Sequence, residues 1–306
     1  ALFMRNFESL IATAARLPRI SNLLLTSPAG AKLLQGLSGL GRLPAFSSGP
    51  YRHATVWNRS VTQQLLSKQP AVILLRDNYL HSFDRPSLQA CCNILHKLGV
   101  RVYLSPLIRN AKLLHVKGYR QEFRKHAYSV WQQLEEMAAS GLPLLSIETV
   151  TRLMTEMEYV DILQRNTSIP VQSIESYLSV LLRDNTELQA SDSDQILTLL
   201  PHCMEQTHAR QSSADWQSVF RQLGIQLAVH NAGCCGMSGL FGHELENQQL
   251  ADSIFELAWR PALQTSDTVF LASGFSCRCQ SAHHHFNTLH PLVYLDRILP
   301  PGSASD

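Results

Sequence analysis

Two cysteines stand side by side between glycines in the run Gly233-Cys234-Cys235-Gly236. Adjacent thiols flanked by glycine add little to a hydrophobic core, whereas thiolates are preferred ligands of zinc and of iron–sulfur clusters. The glycines allow backbone turns that other residues resist, so the chain can pass close to a bulky inorganic group. The same half of the chain carries three further cysteines: Cys203, Cys277 and Cys279. This grouping predicts a metal or cluster site.

The composition is that of a globular protein with a substantial core. The chain has 306 residues, 45% of them hydrophobic, and its 26 basic and 24 acidic residues give a formal net charge of +2. This balance gives no indication of nucleic-acid binding. No apolar run approaches the roughly 18 residues that a membrane-spanning helix needs, and no secretory signal is visible. We therefore expect the seven cysteines to lie in a reducing, cytoplasmic setting, where clustered thiols bind metal or do redox work.

Residues 1 to about 48 are predicted to form helices. Apolar residues recur at helical spacing on one face of the first: Phe7, Leu10, Ile11, Ala14 and Leu17. This segment has apolar surface without a core of its own, so we expect it to dock elsewhere on the protein. The chain begins with Ala1 rather than methionine, which suggests a piece of a longer protein.

The rest of the chain contains an internal duplication. Residues 71–75 are echoed by 196–200, residues 95–100 by 220–225, and residues 141–146 by 266–271. The three matches share one separation of 125 residues (75 and 200, 99 and 224, 145 and 270). Three coincident offsets without gaps indicate a repeat.

The fold predicted from this repeat is α/β: a tandem pseudo-repeat of βαβαβ units with mostly parallel sheets, preceded by a helical N-terminal segment. Alternating strands and helices are typical of parallel sheets with helical crossovers. We place the helical docking segment at 1–48, a half without cysteine ligands at 49–180, and the cysteine-bearing half at 181–306. Residues 184–194 form a polar joint between the halves.

Each candidate cysteine follows a predicted strand of the second half, at 196–200, 225–229 or 269–271. The residues after parallel strands gather at one carboxyl edge, where α/β proteins place their sites. Neighbouring cysteines reach two irons of one cluster more easily than two corners of one zinc tetrahedron, so the spacing favours iron–sulfur over zinc. Free thiols, or a reversible disulfide between Cys234 and Cys235, are the alternative.

The first half has no thiols at the corresponding places. The offset sets four residues opposite Cys203, Cys234, Cys235 and Cys277, in that order: Asn78, Arg109, Asn110 and Arg152. Cys91 and Cys92 are also adjacent, but they lie in a predicted helix, and we interpret them as packing residues.

Other polar residues near the cysteines are weaker candidates. His202 precedes Cys203 and His243 follows the glycine-rich turn, so either imidazole can ligate a metal or contact an anionic substrate. For each histidine taken alone, we favour a loop residue that is hydrogen-bonded to the backbone. Arg278 can steady the negative charge of a cluster or lie on the surface. We assign cofactor contacts to Gly233, Gly236 and Arg278.

The chain resembles the cysteine-rich CCG domain family, as found in the cysteine-rich subunit of heterodisulfide reductase and in the iron–sulfur subunit of glycolate oxidase. It is most similar to the C-terminal region of large bacterial FAD-linked oxidoreductases of the D-2-hydroxyglutarate dehydrogenase type. The matching motifs lie at 200–205, 233–244 and 273–278, with further agreement at 110–118 in the first half. Two features depart from the family pattern: the first half lacks the motif, and Cys277-Arg278-Cys279 replaces the usual Cys-x-x-Cys.

The resemblance implies a redox-support region of a 2-hydroxyacid dehydrogenase. It implies an iron–sulfur cluster or metal held by the cysteines, with FAD only in a preceding part of the polypeptide. The partners would be the FAD and ferredoxin-like domains of the same chain, and the fragment alone would be inactive. We expect a cytoplasmic location, with or without peripheral attachment to the inner membrane. Whether the chain forms homo-oligomers stays open. The alternatives are a structural module with zinc or no metal, and a thiol–disulfide relay.

Overall fold

The computed structural model describes residues 2–62, 69–183, 195–265 and 268–300. It contains two parallel sheets with helices on their faces, which confirms the predicted α/β class, the repeat and the helical N-terminal segment. The predicted joint at 184–194 lies outside the described residues. Within the described ranges, no helix combines the length and the apolarity that a membrane span requires.

The N-terminal segment consists of three helices: α1 (Leu2–Ala14), α2 (Pro18–Thr26) and α3 (Pro28–Ser38). Proline opens α2 and α3, since the first turn of a helix does not need its missing amide hydrogen. The apolar face of α1 buries Phe7 and Ile11 against Phe83 of the first half and Leu240 of the second. The segment therefore packs on both halves.

The first half contains a five-stranded parallel sheet in the order β1-β3-β2-β4-β5. Its strands are β1 (Ala54–Val56), β2 (Ala71–Leu74), β3 (Arg101–Leu104), β4 (Leu144–Ser146) and β5 (Gln172–Ser173). Its helices are α4 (Arg59–Thr62), α5 (Asn78–Phe83), α6 (Arg85–Lys97), α7 (Lys112–Val116), α8 (Arg120–Ala138), α9 (Thr149–Leu153), α10 (Tyr159–Leu163) and α11 (Ile174–Leu181). A π-helical turn, Met154–Glu158, joins α9 to α10.

The second half contains a three-stranded parallel sheet in the order β7-β6-β8. Its strands are β6 (Ile196–Leu200), β7 (Leu227–Val229) and β8 (Thr268–Ala272). Its helices are α12 (Cys203–His208), α13 (Gln211–Gln222), α14 (Gln248–Ala258), α15 (Arg260–Leu263), α16 (Phe275–His283) and α17 (Pro291–Ile298). Two 3₁₀ turns, Phe241–His243 and Leu245–Asn247, precede α14.

The offset of 125 residues relates these elements one by one. It carries β2, β3 and β4 onto β6, β7 and β8, and the spatial order β3-β2-β4 matches β7-β6-β8. It also carries α5 onto α12 residue by residue. The edge strands β1 and β5 were not predicted, because they are two or three residues long and mostly exposed, with no apolar pattern to mark them. Among the described residues of the second half, a single parallel bridge between Leu271 and Leu289 stands where β5 would be.

One hydrophobic core joins the two halves. It contains side chains from both sheets and from the four helices between them, α6, α11, α13 and α17. Helix α17 of the second half packs on α6 of the first, and α11 of the first half packs on α13 of the second. Cys91 and Cys92 are fully buried in this core, which confirms their interpretation as packing residues.

Truncation of a side chain in this shared core should destabilise both halves together. Leu292 of α17 is completely buried in the core, so Leu292→Ala should lower the free energy of unfolding by about 2–5 kcal/mol. Leu257 of α14 is 83% exposed, and Leu257→Ala as the matched control should change stability by less than about 0.5 kcal/mol. Urea unfolding, followed by fluorescence and by circular dichroism, measures the free energy of unfolding of both variants. Separate unfolding transitions of the two halves in Leu292→Ala would contradict a shared core.

Candidate functional site

Three chain segments bring four cysteines to the carboxyl edge of the second sheet. Cys203 is the first residue of α12, directly after β6, and Cys277 lies in the first turn of α16, after β8. Cys234 and Cys235 lie in the irregular segment after β7. Cys235 and Cys277 are buried, whereas Cys203 and Cys234 are partly exposed.

The four thiols form two contacting pairs. Cys203 hydrogen-bonds Cys234, and Cys277 hydrogen-bonds Cys235, so the adjacent cysteines have different partners. The hydrogen bond from Cys203 lowers the pKa of Cys234 to about 6, although partial burial opposes this shift. The same bond, followed by burial, raises the pKa of Cys203, and the bond to Cys235 together with burial raises that of Cys277. Near pH 7 this arrangement favours the thiolate at Cys234.

The glycines on either side of the pair shape this segment. Gly236 has φ +92°, and a Cβ atom there would lie 2.2 Å from the carbonyl oxygen of Ala251, so only glycine fits. Its amide donates to Cys234 Sγ at 3.4 Å, which also favours the thiolate. The carbonyl of Gly233 accepts a hydrogen bond from Trp259 Nε1 at 3.1 Å. Both predicted cofactor-binding glycines thus hold the cysteine segment against α14 and its C-terminal end.

His202 and His243 both line the cavity described below. His202 caps α12, with its Nδ1 accepting from the Met204 amide at 3.4 Å, which leaves Nε2 as the nitrogen open to another partner. Burial lowers its pKa to about 4, so the ring is neutral near pH 7. His243 has Nδ1 3.0 Å from the carbonyl oxygen of Arg42, and burial lowers its pKa as well.

Arg278 and Cys279, the remaining two predicted site residues, do not take part in the thiol pairs. The guanidinium of Arg278 pairs with Asp84 of the first half and donates to the carbonyl oxygens of Ala272 and Ser273, each at 2.7 Å. The pair with Asp84 joins the two halves, and a cofactor contact by Arg278 stays a prediction. Cys279 lies outside both thiol pairs, and burial raises its pKa to about 12.

The cysteines line a cavity of about 250 Å³ that is walled by both halves and by the N-terminal segment. Cys203, Cys234 and Cys235 lie on one wall. Residues of the first half lie on another, including Asp77, Asn110, Lys112, Glu148 and Thr151. Phe7, Leu43 and Pro44 of the N-terminal segment also line it.

Sequence reasoning missed the contribution of the first half. Asp77 caps α5 and accepts hydrogen bonds from Asn110 Nδ2 and Thr151 Oγ1, both at 2.9 Å. Glu148 has a carboxylate oxygen, Oε1, that is shielded from solvent and has no hydrogen-bond partner among the described residues, and burial raises its pKa to about 8. The repeat offered a signal for Asp77, because the offset of 125 places it opposite His202.

The donor chemistry fits a thiolate-bound group, although no preformed mononuclear site is present. Among the described residues, no group of three or more histidine, cysteine or acidic side chains is arranged to hold a single metal ion. The thiols occur in pairs from three segments, and the two pairs are close enough to influence each other electrostatically. Such a spread of sulfur ligands suits a group with several metal atoms better than one tetrahedral ion.

No family model matches the chain. It is 34% identical over 213 residues to a D-2-hydroxyglutarate dehydrogenase of Pseudomonas putida, a match that covers 70% of this chain and 21% of that protein. A D-2-hydroxyglutarate dehydrogenase of Haemophilus influenzae is 32% identical over 244 residues, with 76% and 24% covered. One subunit of the anaerobic glycerol-3-phosphate dehydrogenase of Escherichia coli is 22% identical over 282 residues, with 84% and 65% covered. The chain is thus similar to oxidoreductases and spans about a quarter of the length of the first two.

The lowered pKa of Cys234 predicts selective alkylation of the metal-free chain. A thiol with a pKa of about 6 should react with iodoacetamide at a rate that reaches half its maximum near pH 6, since the thiolate is the nucleophile. Cys203→Ala removes the hydrogen-bond donor, so the midpoint for Cys234 should move toward the ordinary thiol value. Cys279 is the internal control, because its raised pKa keeps it slow. Peptide mass spectrometry across pH 5–9 measures each site, and equal rates at Cys234 and Cys279 would contradict the pairing.

Proposed function

We propose that this chain is the redox-support region of an FAD and iron–sulfur dependent D-2-hydroxyacid dehydrogenase. Its second half would hold an iron–sulfur cluster through thiolates at the carboxyl edge of β6, β7 and β8. The observation that carries this proposal is the convergence of four cysteines from three segments at one sheet edge, where Cys203, Cys234 and Cys235 line the cavity and Cys277 lies buried beside Cys235. The similarity to two proteins named D-2-hydroxyglutarate dehydrogenase supports the choice of reaction.

We assign the ligands to Cys203, Cys234, Cys235 and Cys277. All four take part in the two thiol contacts, and Cys279 takes part in neither. When bound, an iron–sulfur cluster would supply one-electron transfer, which a flavin that oxidises a 2-hydroxy acid requires in order to pass its electrons on singly. The chain's own residues would shield it: Met237 is 3% exposed and packs with Cys235 and Cys277 in one apolar cluster. The fragment alone would not turn over substrate, since the flavin would be bound elsewhere.

The second candidate is a structural and interaction module that holds zinc or no metal. The first half favours it, because that half has its three central strands in the same order, and a matching helix after β2, without any thiol at the corresponding edge. The fold therefore does not require a bound group there. A thiol relay through Cys234 and Cys235 is the weaker alternative, since the structure gives each of these cysteines a different partner.

Metal analysis of anaerobically purified protein separates the candidates. We expect iron with roughly equimolar acid-labile sulfide, and visible absorption that bleaches on reduction. Cys203→Ser and Cys277→Ser should each lose most of the iron, whereas Cys279→Ser, as the matched control on the same helix as Cys277, should keep it. Zinc without sulfide, or empty thiols after reconstitution with iron and sulfide, would favour the second candidate. Loss of iron in Cys279→Ser would overturn the assignment of ligands.

We propose further that the N-terminal helices dock on the FAD and ferredoxin-like domains of the same polypeptide. No side chain of α2 or α3 is buried, and large apolar residues on these helices face solvent. The most exposed are Leu23 at 69%, Leu33 at 64% and Leu37 at 71%. Because α2 and α3 pack on each other, these exposed leucines lie on neighbouring helices, and we infer that they form an interaction surface.

Charges placed on this surface should abolish docking without unfolding the chain. The chain would be co-expressed with the proposed flavin and ferredoxin-like domains as a separate, tagged polypeptide. We expect co-purification of the unaltered chain and its loss, by about tenfold or more, in the double variant Leu23→Glu, Leu37→Glu, because buried charge at an interface is costly. Leu257→Glu, at an exposed position on α14, is the control and should co-purify. Retention of the double variant would refute docking through α2 and α3.

A further inference from the structure

Helix α1 lies on the part of the first half that corresponds to the cysteine site of the second. Asn78 Nδ2 donates to the backbone carbonyl of Glu8 at 3.0 Å. Arg109 donates to Ser9 Oγ at 2.7 Å. The amide of Ala111 donates to Glu8 Oε2 at 3.2 Å. One turn of α1 therefore takes all three contacts.

The three contact residues are the repeat counterparts of site residues. The offset of 125 carries Asn78 onto Cys203, Arg109 onto Cys234 and Ala111 onto Gly236. Two of the four thiol positions of the second half, those of Cys203 and Cys234, are thus occupied in the first half by side chains that hold α1.

The backbone geometry at the third position is also retained. Ala111 has φ +57°, a left-handed conformation that is uncommon for a residue other than glycine, and Gly236 has φ +92°. The Gly236 amide points at the sulfur of Cys234, and the Ala111 amide points at the carboxylate oxygen of Glu8. The turn in the second half directs its amide at a cysteine sulfur, and the corresponding turn in the first half directs its amide at a carboxyl oxygen of Glu8.

We propose that the first half is a binding site for a carboxyl group and that Glu8 is its built-in ligand. Glu8 lies between the guanidinium of Arg109, which favours the charged form, and the carboxyl of Asp77, which opposes it. Its second oxygen, Oε1, is shielded from solvent and has no hydrogen-bond partner among the described residues. Burial raises the pKa of Glu8 to about 8, so the group enters this site largely as the neutral acid at pH 7.

This site secures the cover of the cysteine cavity. Phe7, the neighbour of Glu8, is buried and lines the cavity together with Cys203 and Cys234. Release of Glu8 would loosen α1 and admit solvent to the thiols. By holding α1, the first half therefore helps to cover cysteine thiols that belong to the second half.

Small carboxylic acids should replace the missing side chain in Glu8→Ala, because acetate has the same heavy atoms as the part removed beyond Cβ. In chloride, the Cys203 and Cys234 thiols of the metal-free variant should react with an aromatic disulfide reagent roughly tenfold faster than in the unaltered chain, which corresponds to about 1.4 kcal/mol less protection. Acetate near pH 5, where part of it is the neutral acid, should restore slow labelling and raise the melting temperature in a saturable manner relative to chloride at equal ionic strength and pH.

Three further variants make the result decisive. Glu122→Ala removes a carboxylate that pairs with Arg5 of α1 at the surface, and it should show no acetate effect. Glu8→Gln keeps an oxygen for the Ala111 amide and should label slowly without acetate. Glu8→Asp moves the carboxyl group away from the Ala111 amide by one methylene. Its Cys203 and Cys234 thiols should therefore label at a rate between those of the unaltered chain and Glu8→Ala. This variant tests the proposal if Glu8→Ala does not fold. Equal responses of Glu8→Ala to acetate and chloride, or unchanged labelling in Glu8→Asp, would overturn the proposal.

Discussion

The shared core between the two sheets is the constraint on which the rest of the structure depends. Helices α6, α11, α13 and α17 fill the space between the sheets, and each half contributes helices that pack on the other. Because both sheets are parallel and both are held by this one core, their carboxyl edges contribute to a single cavity. Neither half could enclose that cavity alone.

Buried polar contacts fix how the two edges meet. Arg278 of the second half pairs with Asp84 of the first, and both side chains are almost fully enclosed. Glu205 accepts from Thr149 of the first half at 2.9 Å and from Ser273 at 2.7 Å, so one carboxylate joins the two halves beside the cavity. Burial raises the pKa of Glu205, and a buried carboxylate of this kind is tolerated because its oxygens are hydrogen-bonded. Such pairs specify one relative placement of the halves more than they add stability.

The repeat makes one scaffold serve two chemical purposes. The second half keeps thiols at its edge, whereas the first half has Asn78, Arg109 and Asn110 at the same positions. Two of these hold helix α1, and Asn110 hydrogen-bonds Asp77. The edge of the first half thus holds helix α1, whose Phe7 lines the cavity beside the thiols of the other edge.

Much of the fold could be predicted because its signals are local. The strands β2, β4, β6 and β8 are short apolar runs bounded by turn residues, and the constant offset of 125 residues confirmed them against each other. The edge strands β1 and β5 escaped prediction, since their pairing depends on a neighbour that the sequence does not place beside them. Glu148 and Glu8 escaped for the same reason: a glutamate becomes an enclosed carboxyl group only when distant segments cover it.

Local patterns in the chain were enough to identify the residues that could do chemistry and the end of the strands at which they lie. Thiols that follow parallel strands must reach one edge, because strand direction and chain order leave no other place for them. Only the tertiary structure decided that Cys234 contacts Cys203 rather than its neighbour, and that Cys235 contacts Cys277. Adjacent side chains diverge from the backbone, so their partners are set by the order β7-β6-β8 and by the turn at Gly236. The pairing, and the cover that α1 provides, arise from contacts between residues far apart in the chain, which no local pattern records.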